Sequence, residues 1–276
     1  MARLSISTAW NEAAAFVKQE AGTLFLIAFG LMVLPGVILQ FLLPQWIPTM
    51  SGGAPPDPAR VLAALPWIFL ATIPLLLISM WGSLTVNMLV LRRESVVGAA
   101  FRHAGRRILP LLGAGLLVVI AAAILTLPLV GMFVAGARTA HLGWMILLFL
   151  VLWLFFVFVA IRLALMVPVA AAEQTGPIEI IRRSWALTAG NFWRLFGFIV
   201  LLAIVYIVVV AVVGAIGGIL IALVAGLPRP GSIGSLALAL LMGILQAVWL
   251  MFLVTTLARV YVQLSGGGVS TAEVFE

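Results

Sequence analysis

Residues 173–197 read EQTGPIEIIRRSWALTAGNFWRLFG, a polar interruption between two very apolar runs. Gly176 suits a cap, and Pro177 suits the first helical position, where its missing N–H costs nothing. Glu179 then falls in the first turn, near the positive end of the helix dipole. Ile178, Ile181 and Trp185 recur at helical spacing on one face, while Arg182 and Arg183 point elsewhere. Gly190 is placed to end this helix in a left-handed conformation, and Asn191 to cap the next, which starts at Phe192. The stretch therefore predicts an amphipathic elbow lying on a membrane surface and feeding a spanning helix.

The elbow recurs. Trp185 and Gly197 are separated by the same interval as Trp10 and Gly22, and as Phe101 and Gly113. One helical turn before each aromatic stands an apolar residue: Ile181, Ile6 and Val97. A truncated fourth copy closes the chain at Val274 and Phe275. The period is roughly 90 residues, longer than that of any soluble solenoid, and self-similarity of this kind marks a repeated unit. The expected architecture is a single all-α integral membrane domain, 1–276, of six transmembrane helices. They fall into three units of one elbow and two spans, approximately 1–91, 92–172 and 173–276, in a pseudo-threefold arrangement about the membrane normal.

Composition fixes the class without any motif. Apolar residues make up 65% of the chain and charged residues 8%, against about 45–50% and 25% in an ordinary soluble domain. Six stretches approach the roughly 20 apolar residues needed to cross a bilayer. They run from about Thr23 to Leu43, Val61 to Leu91, Ile108 to Val134, Trp144 to Ala172, Phe192 to Ala225 and Leu236 to Leu264. Pro66 and Pro74 predict a bend in the second, and Gly214, Gly217 and Gly218 a close helix contact in the fifth, with Gly214 and Gly218 as its small-residue face. The N-terminal residues carry polar side chains where a cleaved signal would need an apolar core, so they read as mature sequence. No cysteine is present, which removes disulfides and thiolate chemistry.

Charge sets the orientation. Arg3, Lys18, Arg92, Arg93, Arg102, Arg106, Arg107, Arg182, Arg183, Arg194 and Arg259 fall on the side of the elbows, and only Arg60, Arg138 and Arg229 on the other. Positive charge stays cytoplasmic, so both termini and all three elbows are expected there. Because the bases cluster beside spans, their expected partners are anionic phospholipids, with a membrane protein as a further partner, and not nucleic acid.

The run GPIEIIRRSWALTAGNFWRLFG, with RLALMVPVAAAE before it, resembles the integral membrane domain found beside the catalytic domain in some bacterial glycerophosphoryl diester phosphodiesterases. The chain looks like a free-standing version of that domain. In the family the hydrolytic chemistry belongs to a separate soluble barrel with metal-supporting His, Glu and Asp residues, so the resemblance implies a membrane module without enzymatic activity.

The residues agree. His103 lies in an elbow and His141 in an outer turn, with the bilayer between them, and the acids fall in loops, elbows or tail. Neither a metal site nor a carboxylate pair can be assembled from them, and no phosphate-cradling or nucleophile-elbow motif is present. No cofactor or catalytic residue is expected. Candidate lipid-headgroup or anion contacts are Arg92, Arg93, Arg102, Arg106, Arg107, Arg182, Arg183 and Arg194, whose plainer role is to set topology. Arg162 is unusual: it precedes Glu173 by about 16 Å of helix at about 1.5 Å per residue, which puts it inside the membrane. Asn87, Gln246, Thr255 and Thr256 are its expected polar neighbours. It reads either as an anion or headgroup contact or as a structural arginine bonded to helix-end carbonyls. Two functions stay open: a non-catalytic lipid-binding or scaffolding module in envelope or phospholipid processes, and a transporter or permease for a lipid-related or small anionic solute.

Overall fold

A computed structural model describes residues 5–42, 58–92, 97–137, 142–229 and 231–266. Among them there is no strand, and ten α-helices and a π-helical segment follow one another. They are α1 (Ile6–Gln19), α2 (Ala21–Ile27), the π segment (Ala28–Val33), α3 (Leu34–Leu42), α4 (Pro58–Arg92) and α5 (Val97–Ala137). After these come α6 (Leu142–Arg162), α7 (Met166–Ala172), α8 (Pro177–Ala189), α9 (Phe192–Ala225) and α10 (Ile233–Leu264). Six stretches are long and apolar enough to cross a membrane: Ala21–Leu39, Leu70–Leu91, Val97–Leu129, Ile146–Ala172, Phe192–Ala225 and Ile233–Leu264. The protein is therefore a multi-pass membrane protein, and the six expected spans are all present. The truncated fourth copy at Val274 and Phe275 lies outside the described residues.

Prolines decide where these spans depart from regular helix. Pro35 has no N–H to give the carbonyl of Leu31, and its ring would crowd that carbonyl. The chain widens instead, and the Leu34 N–H bonds Phe29 O in the π segment. Pro168 acts more strongly. The fourth span, expected as one helix, stops at Arg162, passes through a turn at residues 163–165, and resumes as α7. Ala164, four residues before Pro168, sits in that turn, as a carbonyl facing a proline ring should. Pro66 and Pro74, by contrast, lie inside an uninterrupted α4.

The three elbows share one end of the bundle but are not built alike. The first is α1, N-capped by Ser5 and separated from α2 at Glu20. The third is α8, with Pro177 at its start and Glu179 in its first turn. Its terminal Gly190 is right-handed (φ −84°, ψ −11°), not left-handed, and Asn191 stands before α9 without making a side-chain capping bond to it. The second elbow is no separate helix at all: residues 97–107 run straight into the span as the start of the 41-residue α5. At about 1.5 Å per residue that helix is about twice the roughly 30 Å hydrocarbon thickness, so its first turns project beyond it.

Each elbow aromatic seats on a ring from another helix. Trp10 meets Phe252 of α10 edge-on at 4.7 Å, Phe101 stacks on Trp81 of α4 at 4.3 Å, and Trp185 meets Phe158 of α6 edge-on at 5.8 Å. The Trp81 indole N–H also donates to Phe101 O at 2.8 Å. Ser5 N–H donates to Gln263 Oε1 at 3.1 Å, and Arg259 lies over the Phe16 ring, so α1 is fastened along the end of α10. In α8 the inward face is Ile180, Ser184 and Thr188, all buried, while Ile178 of the apolar stripe faces outward and Trp185, half-exposed, leans on Phe158. In α9 the close approaches to α10 are at Gly214, against Met242, and at Gly217, against Leu241; Gly218 faces open space, so the small-residue face is Gly214 with Gly217 rather than Gly218.

The glycines at the repeated position differ in what surrounds them. A Cβ on Gly113 would come within 2.9 Å of the rigid Pro177 ring, whereas Gly22 and Gly197 have nothing within 4 Å. Gly113→Ala is expected to lower the midpoint of thermal unfolding in detergent, by the equivalent of about 1–3 kcal/mol. Gly22→Ala and Gly197→Ala should be neutral or stabilising by up to about 1 kcal/mol. Equal stabilisation by all three would mean that α5 and α8 are not in contact at Gly113.

Candidate functional site

Two broken helix ends lie close together at the elbow end of the bundle, and each leaves carbonyls without an intrahelical partner. At the end of α7, Arg107 of α5 supplies donors. Its Nε donates to Ala170 O at 2.9 Å, and its Nη2 to Glu173 O and to Thr175 O, the latter at 3.3 Å. The Glu173 side chain completes a node: Oε1 accepts from Arg183 Nε of α8 at 3.0 Å and from the Tyr261 hydroxyl of α10 at 2.9 Å. One acidic residue thus ties α5, α7, α8 and α10. At the end of α6, Arg162 O accepts from Ser184 Oγ at 2.9 Å and from Thr188 Oγ1 at 3.3 Å.

The Arg162 side chain leads elsewhere. Its guanidinium carbon lies 5.2 Å from the centroids of Phe158 and Trp185 and 5.5 Å from that of Phe192. Rings at this range contribute about 0.5–2 kcal/mol each, but they accept no N–H in-plane. Nε and Nη1 are buried and have no hydrogen-bond partner. Beside them a cleft of about 800 Å³ opens between α6 and the start of α9. Leu154, Val157 and Phe196 form apolar wall, and Gly190, Asn191 and Arg194 form the polar end.

The expected polar neighbours do not surround Arg162. The helices packed on α6 are α5, α8 and α9. Asn87, Thr255 and Thr256 are buried on α4 and α10, with Asn87 Nδ2 donating to Ser83 O and Thr256 Oγ1 to Phe252 O. Gln246 of α10 is exposed. The structural role foreseen for Arg162, donating to helix-end carbonyls, is filled by Arg107, while Arg162 contributes its own carbonyl as an acceptor. A polar side chain near a broken end is drawn to the nearest orphan carbonyl, and at the end of α6 the hydroxyls of Ser184 and Thr188 already occupy it.

The remaining elbow arginines separate into two groups. Arg107 and Arg183 are partly buried and engaged at the Glu173 node. Arg102, Arg106, Arg182 and Arg194 are exposed, and the Arg182–Glu179 pair at 3.9 Å is too open to water to matter much. Arg92 ends α4, and Arg93 and His141 lie outside the described residues. Glu173 and Tyr261 were not singled out from sequence as site residues. Among the described residues, no group of three His, Asp or Glu side chains is placed to hold a metal ion.

A family model described as the membrane domain of glycerophosphoryl diester phosphodiesterase matches residues 108–266. It therefore takes in α6 to α10, Glu173, Tyr261 and the whole cleft. No curated protein and no solved structure matches the chain.

Arg107→Met removes the donors at the end of α7 and is expected to cost about 2–3 kcal/mol, as hydrogen bonds from a charged group usually do. The neighbouring exposed Arg106→Met should leave the unfolding midpoint unchanged. Denaturant or thermal unfolding in mixed micelles compares them; equal effects would remove Arg107 from the node.

Proposed function

This chain belongs to the family of the membrane domain of glycerophosphoryl diester phosphodiesterase, and from that premise we propose that it is a non-catalytic lipid-binding or scaffolding module of the bacterial plasma membrane. The observation that carries the reading is the set of exposed cations, Arg102, Arg106, Arg182 and Arg194, in the second and third elbows and the first turn of α9. Beside it, α9 presents an almost wholly apolar exterior, Val200, Leu201, Ile204 and Val208 among it. Cations next to an apolar belt match an anionic leaflet surface, each contributing about 1 kcal/mol close to it. By the positive-inside rule these cations, the elbows and both termini are cytoplasmic. The matched family segment is a membrane domain and carries no catalytic barrel, which supports a role other than hydrolysis.

The docking of each elbow supports the three-unit reading. Trp185 sits on the second span of the unit before its own, Phe101 does likewise, and Trp10 of the first unit sits on the second span of the last. A closed ring of three units has this pattern. Transport is the second reading, but the cleft that reaches Arg162 is walled largely by apolar and aromatic side chains at the bundle's periphery. That favours a groove for lipid over a route for a hydrated solute.

The absence of cysteine makes topology directly testable. Arg182→Cys should react with a membrane-impermeant thiol reagent only in inside-out vesicles, and Arg229→Cys, between α9 and α10, only in right-side-out ones; the reverse would overturn the orientation. Combined Arg102→Gln, Arg106→Gln and Arg182→Gln should reduce the anionic phospholipid that co-purifies, measured against zwitterionic lipid in the same extract. Purified protein should release no glycerol 3-phosphate from a glycerophosphodiester with divalent metal present; sustained turnover that disappears when the metal is chelated would contradict the non-catalytic reading.

A further inference from the structure

The cleft beside Arg162 is partly enclosed, and the Arg162 side chain in it has two donors without a hydrogen-bond partner. Ring faces stabilise the Arg162 cation without offering acceptors for Nε and Nη1, which are buried and unbonded. A buried donor on a charged group that lacks an acceptor is costly, and the cleft brings nothing anionic of its own, since no Asp or Glu lines it. Arg194, in the first turn of α9, adds a second cation at the same end. From there the wall turns apolar along Leu154 and Val157 of α6 and Phe196 of α9. Leu154 and Trp193 are largely exposed at 53% and 77%, so the apolar part opens sideways from the bundle.

We infer that this cleft binds one phospholipid, its phosphate held between Arg162 and Arg194 and an acyl chain laid along Leu154, Val157 and Phe196. A guanidinium carries its donors in a rigid plane that suits the oxygens of a phosphate, and at Arg162 neither Nε nor Nη1 is committed to a protein acceptor. The three rings around Arg162 hold the fork in place, so little side-chain freedom is lost on binding. Inorganic phosphate would satisfy the same donors, but the apolar wall continuing toward the membrane interior fits an acyl chain and has no role for a free ion. The inference rests on the reading of the protein as a lipid-binding module and names a discrete site within it.

The test uses the full chain, delipidated in detergent, with native mass spectrometry to count retained molecules during titration with phosphatidylglycerol, dioleoylglycerol or inorganic phosphate. Wild type should retain one phosphatidylglycerol that resists collisional removal, and neither of the other two probes. Arg162→Met and Arg194→Met should each weaken that retention by about tenfold or more, the factor expected for losing a charged hydrogen bond. Arg182→Met, among the exposed elbow cations but outside the cleft, should not. Because Arg194 is exposed, its variant reports on the site even if Arg162→Met does not fold. Unchanged retention in Arg194→Met, dioleoylglycerol bound as tightly as phosphatidylglycerol, or phosphate bound while the lipid is not, would each overturn the proposal. The elbow-arginine variants distinguish the two levels: if they lower bulk anionic-lipid enrichment while no single lipid is retained by wild type, the discrete site falls and the broader reading stands.

Discussion

A helix interrupted inside or beside a bilayer must find partners for the carbonyls it strands, because no water reaches them there. Pro168 imposes that condition on the fourth span, and the adjoining turn at Glu173 imposes it a second time. Ser184 and Thr188 serve the first set of carbonyls and Arg107 the second. The elbow α8 is consequently oriented with its hydroxyls inward: Ser184 and Thr188 turn in beside Ile180, and Ile178 turns outward. In a soluble protein that helix would be expected the other way round. Here the apolar stripe has lipid available to it, while the hydroxyls have their best acceptor inside.

That constraint also explains why one arginine is structural and another is not. Arg106 and Arg107 are adjacent and chemically identical, yet a helical step of about 100° sends the second to the end of α7 and leaves the first exposed. Arg183 is drawn inward by Glu173, and Arg182 is not. Arg162, at the other break, finds its backbone already served by hydroxyls and its side chain wrapped by rings. Its charge is left facing a cleft, and the site-like character of that cleft comes from the same break that disturbs the span.

The six crossings and the positions of α1 and α8 were legible because apolar length, helical spacing and the Pro177 and Glu179 signals are local. The departures had weaker signals. Pro168 announced a break at Ala164, but an apolar run of that length reads as continuous when prolines are known to be tolerated in spans, as Pro66 and Pro74 are in α4. The second elbow offers no counterpart to Gly190 and Asn191 before its span; its Gly105 instead makes room for the Trp81 ring. The Glu173 node could not be read at all, since Arg107 and Tyr261 reach it from distant parts of the chain and nothing near either residue marks the meeting. Arg162 was conspicuous by depth alone, but its aromatic surroundings depended on α8 and α9 folding back beside it.

The fastening of α1 to α10 joins Ser5 to Gln263, 258 positions apart. Ribosomes deliver a chain at about 5–20 residues per second, so the first elbow is in place many seconds before its seat exists. During that interval Trp10 and Phe16 have only the headgroup layer to rest on, and the early spans are held together without their final neighbour. The last helix is thus the one whose arrival completes the seat of the first elbow.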